Sequence, residues 1–420
     1  LRKNKVKASQ THLPSLLGSI LFFLSALFLS GIGLLMGSTA LMSFFTGEAI
    51  KVEQTIIFIA FGFEAIVLFI AAFFSFQKTL RKPSADQDAS FSVSFRQIVI
   101  FTITAFAAIL IGYQISGIKT INWLFLPLLT IPAVVLPIWA LLALGTQRLP
   151  FGTRWQSWSV LGLGMTLVPL VLFVLEVAVL LIVFFVIVAY VMTQPDLVFE
   201  LQKLSQQIML LGPGSEAALE LLSPFLTRPG VIITVLAYIA IVVPALEEIF
   251  KPLGVWLLAG RLESPAQGFA LGALSGAGYT LIETIGVSNQ TGEWASLLFS
   301  RIGTGLLHIT TSALMGAAIV LAWRERRYLR LIGTYLLAVT LHGLWNTLAI
   351  LFTFSGLAQP LGQAGLLSTL QPIMIISLSI LAIGLLAILV ISNRKMRSIV
   401  PFPLKELGIP ANDIGVSQNL

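Results

Sequence analysis

The chain has no cysteine, which removes a disulfide frame, a thiolate metal site and a cysteine nucleophile. Any metal would have to be held by histidine and carboxylate side chains. Charge is scarce as well. Asp, Glu, Lys and Arg together make up 10% of the 420 residues, against about 25% in a soluble domain. With 57% hydrophobic residues and a mean hydropathy of +0.96, the composition excludes a soluble fold and predicts an all-α, polytopic transmembrane helical bundle. Aspartate is nearly absent. Asp86, Asp88, Asp196 and Asp413 all lie outside the long apolar runs, so a two-aspartate intramembrane mechanism lacks its parts. No His-Glu-x-x-His helix is present, which removes the usual zincin arrangement.

Runs long enough to span, about 20 apolar residues each, occur near 14–45, 55–76, 98–117, 121–144, 158–192, 231–258, 265–288, 294–322, 329–354 and 364–392, about ten spans in all. The first is far longer than the apolar core of a signal peptide and is read as a retained helix. Basic residues fall on one side: Arg2, Lys3, Lys5 and Lys7; Lys78, Arg81, Lys82 and Arg96; Arg148, Arg154 and Arg261; Arg324 to Arg330; and Arg394, Lys395, Arg397 and Lys405. The opposite side holds only Lys51, Lys119, Lys203 and Arg228. This asymmetry predicts cytoplasmic termini and accounts for the net charge of +7 without a nucleic-acid partner; the membrane is expected to be a bacterial plasma membrane.

The expected organisation is an amino-terminal five-span region (1–192), an outer interfacial loop (193–230), a membrane core (231–392) and a cytoplasmic tail (393–420). In the loop, Leu197, Leu201, Leu204, Ile208 and Leu211 recur at helical spacing before Gly212-Pro213-Gly214 interrupts them. It is expected to lie on the outer interface, as a connector or as a substrate ramp.

From 231 onward four consecutive spans each carry ionisable residues: Glu247 and Glu248, then Glu283, then His308, then His342. Burying five such groups costs on the order of ten kcal/mol, so by default they mark a shared functional site. Lys251 follows Glu248 by three and Glu247 by four, on the same helix surface. Thr304 and Ser312 flank His308 at four residues on either side, and Asn346 follows His342 at the same spacing. Gly268, Gly272 and Gly276 form a small-residue ridge for close helix packing. Glu64 and Glu176 are isolated mid-span acids, expected to be protonated and hydrogen-bonded to a neighbouring helix.

Glu247-Glu248-x-x-Lys251, the Tyr279-Thr-Leu-Ile-Glu283 segment, His308 with its hydroxyl neighbours and His342-Gly-Leu-Trp-Asn346 appear in that order over residues 231–350. The set resembles the PrsW family of intramembrane proteases. More distantly, it is similar to the glutamate-dependent superfamily of type II CAAX prenyl proteases and bacteriocin-immunity membrane proteins. The resemblance implies hydrolysis of peptide bonds in membrane-protein substrates within or beside the bilayer, such as an anti-sigma-type regulator.

On the residues themselves, Glu247 is placed as a general base toward water, with Glu248 tuning it through Lys251. His342 and Asn346 are placed to donate to a developing oxyanion. His308 would orient water or ligate metal. Glu247, His308 and His342 match a catalytic zinc ligand set, whereas the wider superfamily implies water activation by glutamate without metal. Two other readings stay open: a proton- or cation-coupled transporter, which would draw in Glu64 and Glu176, and a non-catalytic scaffold. The oligomeric state is not legible.

Overall fold

The computed structural model describes residues 12–89, 91, 93–212, 215–226, 229–288, 294–358 and 366–399. The basic segment at Arg2 to Lys7, Pro213 and Gly214, Arg228 and the tail from 400 onward lie outside the described residues. Among the described residues the regular structure is helical, apart from one isolated bridge between Asp88 and Thr153.

Nine helical stretches are long and apolar enough to cross a membrane among the described residues. Four come first: α1 (Leu13–Thr46), α2 (Val52–Thr79), α3 (Phe95–Ser116) and α4 (Asn122–Thr146). The fifth expected span is divided into α5 (Arg154–Met165) and α6 (Leu167–Met192). Thr166 leaves helical geometry there, with φ −124° and ψ −74°. Pro169 accounts for the break, since it has no N–H for the Met165 carbonyl and its ring crowds that carbonyl. The expected outer segment consists of two short helices, α7 (Pro195–Leu211) and α8 (Glu216–Leu226).

The sixth span is broken twice, into α9 (Pro229–Ala237), a π turn over Tyr238–Val242, α10 (Val243–Phe250) and α11 (Leu253–Leu258). Then follow α12 (Pro265–Val287), α13 (Trp294–Glu325), α14 (Tyr328–Ala358) and α15 (Leu366–Ile399). Helix α12 is the tenth expected rod. Glycine, serine and threonine keep it below the apolarity of the other nine, and it is enclosed by protein rather than lipid: nearly every residue from Ala266 to Ile285 is buried. Ser264 starts it by accepting from the Gln267 N–H, with Pro265 in the first turn.

Helices α12 and α13 run together as the buried centre, with α4 and α5 also packed on α12. The glycine ridge makes this possible. A Cβ on Gly268 would lie 2.5 Å from the Gly316 carbonyl oxygen, one on Gly272 2.2 Å from that of Ser312, and one on Gly276 2.5 Å from that of His308. The α5 side is equally tight: a Cβ on Gly164 would meet the Ser275 carbonyl oxygen at 2.6 Å. Backbones this close gain dispersion contacts that lipid cannot offer, so the two faces of α12 fix the height and rotation of α13 and hence of His308.

Candidate active site

The acidic pair stands directly after the π turn, and Pro244 explains why the turn is there. Without an N–H, Pro244 cannot bond the Ala240 carbonyl, and its ring crowds that oxygen. The helix opens by one residue, so that the Val243 N–H reaches back to the Tyr238 carbonyl. Helix α14 closes over the opened segment. Gly343 lies so near that a Cβ there would be 2.1 Å from the Ala240 oxygen. Asn346 Nδ2 donates to the Ile239 carbonyl at 3.0 Å, and the Tyr335 hydroxyl to the Ala245 carbonyl at 2.9 Å.

One turn later Pro252 ends α10, and Ser275 Oγ donates to the Lys251 carbonyl at 2.5 Å. Ser275 is thus a clamp on the acidic helix, and its hydroxyl is not free for nucleophilic work. These contacts hold Glu247, Glu248 and Lys251 at 6%, 0% and 0% exposure, an arrangement that must be paired to be tolerated.

The pairing is dense. Lys251 Nζ lies 2.5 Å from Glu248 Oε1 and 3.5 Å from Glu247 Oε2. The same nitrogen is 2.9 Å from His308 Nδ1 and 3.5 Å from His342 Nδ1. His342 Nδ1 is 2.8 Å from Glu248 Oε1, and His342 Nε2 is 3.9 Å from Glu247 Oε2. His308 Nε2 is 3.0 Å from Glu283 Oε2, which Arg301 Nη2 approaches at 2.6 Å. The two imidazoles meet edge to face with centroids 5.3 Å apart, and Tyr279 packs on His308 at the same separation. Acid and imidazole groups from α10, α12, α13 and α14 therefore converge on one pocket, as the sequence predicts.

Each histidine has a carboxylate behind it. Glu283 accepts from His308 Nε2–H and Glu248 from His342 Nδ1–H, which leaves one lone pair on each ring: His308 Nδ1, facing the Lys251 ammonium at 2.9 Å, and His342 Nε2, 3.9 Å from Glu247 Oε2. Carboxylate–histidine pairs of this kind fix the tautomer and raise the basicity of the free nitrogen. Glu247 is held less closely than Glu248, with Lys251 at 3.5 Å and His342 at 3.9 Å from its Oε2. The Oε2 atoms of both acids are buried with no hydrogen bond among the described residues.

The residues present fit a divalent cation. Glu247, His308 and His342 can each bring one ligand atom within 4.8 Å of the others. The two-histidine, one-carboxylate donor set suits zinc. One ammonium also faces two carboxylates, leaving the pocket with excess negative charge.

Not every expected residue joins the group. Asn346 is not turned to the acids; its amide serves the π turn, because the opened helix has a carbonyl to satisfy. Ser312 is buried on the side facing α12, and its Oγ has no hydrogen-bond partner among the described residues. Thr304 is half-buried, and no hydrogen bond ties it to the acids or imidazoles among the described residues. Glu64 is fully buried, but neither of its oxygens has the expected partner on a neighbouring helix among the described residues. Glu176 contributes its backbone carbonyl, which accepts from the Tyr238 hydroxyl at 3.1 Å. Conversely, Arg301 belongs to the site. Its position two turns before His308 on the same helix was the available signal.

Compared with known families, residues 170–379, half of the chain, match the model of the PrsW family intramembrane metalloproteases. The chain belongs to the PrsW family. No curated protein and no solved structure matches it. The match extends beyond the motifs at 231–350, to α6 with Glu176 and into α15. This PrsW-family protein is accordingly a multi-pass membrane peptidase, and the Glu–His cluster lies inside the matched region.

Proposed function

We propose that Glu247, Glu248, His308 and His342 hydrolyse a peptide bond of a membrane-protein substrate, of anti-sigma-regulator type, with water activated by Glu247. The observation that carries this is the contrast in how closely the two acids are held: both have a buried Oε2 without a hydrogen bond among the described residues, but Glu248 is tied through Oε1 to Lys251 at 2.5 Å and to His342 at 2.8 Å, whereas Lys251 and His342 stand 3.5 Å and 3.9 Å from Glu247 Oε2. A base needs an unoccupied acceptor within reach of water, about 2.6–3.2 Å. Glu247 takes the water proton as the oxygen attacks the scissile carbonyl, and returns it to the departing amine. Glu248 keeps His342 in the tautomer whose Nε2 faces Glu247, and Glu283, itself held by Arg301, does the same for His308. Tyr279 packs edge to face against His308.

In the alternative arrangement a zinc ion would be held by Glu247, His308 and His342 and would supply Lewis acidity for the carbonyl and for the water; Glu247 is then a ligand, and its role as base belongs to the site without metal. The five amino-terminal spans, through α4 and α5, act as the support for α12, and the outer helices α7 and α8 lead substrate toward the core. We place the protein in a bacterial plasma membrane by its family, with both termini cytoplasmic from the distribution of basic residues.

Co-expression with a panel of single-span membrane proteins tests the reading. Cleavage of one panel member by wild type, lost in both Glu247→Gln and His308→Ala at equal protein level, is the expected result. Cleavage that survives both substitutions removes the assigned site.

A further inference from the structure

The cation already in this pocket is the chain's own. Lys251 Nζ lies 2.9 Å from His308 Nδ1, the atom that the Glu283 contact leaves free, and 3.5 Å from Glu247 Oε2. Its other neighbours are Glu248 Oε1 at 2.5 Å and His342 Nδ1 at 3.5 Å. Two of the three candidate metal ligands thus direct their free atoms at an ammonium.

A divalent ion bound about 2.0–2.2 Å from those same atoms would stand within about 4 Å of Nζ. Two positive charges at that spacing in a water-poor pocket repel by several kcal/mol at an effective dielectric of about 20. The ammonium also has somewhere to go. Its Nζ sits 6.0 Å from the centroid of the Tyr279 ring, at the edge of cation–π range. Ser275 holds the Lys251 backbone in place through its bond to the Lys251 carbonyl.

We propose that Lys251 is a tethered competitor for the metal: its ammonium fills the cation position of the Glu247/His308/His342 pocket, and a divalent ion enters only when the side chain withdraws toward Tyr279. Lys251 thereby sets the metal affinity of the site. The apparent affinity is the intrinsic one reduced by the fraction of molecules with the lysine withdrawn. The inference rests on the same pocket as the proposed peptidase but not on its activity, because it is read from metal binding alone. Peptidase activity absent from every variant would count against the proposed function and leave this test intact.

The experiment uses the full-length protein in detergent, stripped with chelator and titrated with cobalt(II), whose visible absorption reports a low-coordinate nitrogen and oxygen site. Lys251→Met keeps the apolar stem and removes the charge. It is expected to bind cobalt at least about tenfold more tightly than wild type, with the signal abolished by adding His308→Ala. Lys251→Gln is a second variant with the same expectation. Equal or weaker binding in the variants, a signal that survives His308→Ala, or no binding in any protein would each overturn the proposal. Should neither variant fold, wild type still decides. Its rate of cobalt loading levels off with rising metal if withdrawal of the lysine gates entry; a rate that climbs linearly throughout overturns it.

Discussion

Gly276→Ala links the packing of α12 to the chemistry of the pocket. The added methyl would sit 2.5 Å from the His308 carbonyl oxygen and 3.0 Å from Ser312 Cβ. The first neighbour is backbone, so α13 must move to make room. Ordinary contact begins near 3.4 Å, so the His308 segment retreats by roughly 1 Å, a misplacement of the size that costs about 10²-fold in rate. His308 cannot absorb it, because contacts of 2.9 Å and 3.0 Å hold its two ring nitrogens from opposite sides. Overpacking costs about 1–3 kcal/mol, offset in part by the roughly 1 kcal/mol that alanine gains over glycine in a helix. The protein should therefore stay folded while turnover falls about a hundredfold. The assay is cleavage in proteoliposomes normalised to folded enzyme, with Tm measured alongside. Gly384→Ala is the control, since nothing lies within 4 Å of a Cβ there. A folded Gly276→Ala protein with turnover within about twofold of wild type would refute the claim that the ridge sets the position of His308.

Asn346→Ala should act mainly on stability. Its amide satisfies the Ile239 carbonyl rather than facing the acids, so the expected loss is about 1–3 kcal/mol of stability, seen as a lower Tm, with turnover per folded molecule falling less than in Glu247→Gln. At the start of α1, burial and then the charges of Arg261 and Lys78 hold the His12 imidazole below its usual value of 6.5. The unfolded chain then binds the extra proton first, so His12 contributes its stability above pH 6.5 and loses it as pH falls toward the folded value. Thermal melts from pH 7.5 down to about 5 should show this acid loss in wild type, and His12→Asn should flatten it.

Much of the architecture could be read from the chain because lipid imposes simple rules. Apolar runs of spanning length place the rods, and buried acids and imidazoles on four successive rods can be tolerated only together. That was enough to bring Glu247, Glu248, Glu283, His308 and His342 to one pocket. The ridge of Gly268, Gly272 and Gly276 was legible as packing, but which backbone it admits, that of His308, depends on the partner helix. The breaks were harder. Pro169 and Pro244 sit within apolar runs, and hydropathy averages over them; only the opened carbonyls, and the residues that cover them, show what the prolines do. Asn346 was misdirected for that reason. Spacing alone puts it on the face of His342, while the π turn claims its amide. Arg301 lies two turns from His308 on one helix, but its ion pair with Glu283 appears only when α12 and α13 are side by side.

The central claim is that Glu247 activates water for peptide hydrolysis inside this pocket. The most direct measurement reconstitutes the purified protein in proteoliposomes with a single-span substrate and identifies the new termini by mass spectrometry, for wild type and for Glu247→Gln. The account predicts one discrete cut in wild type and a loss of at least about 10²-fold in Glu247→Gln, with the fold intact by Tm. The same cut made at near wild-type rate by folded Glu247→Gln would contradict it.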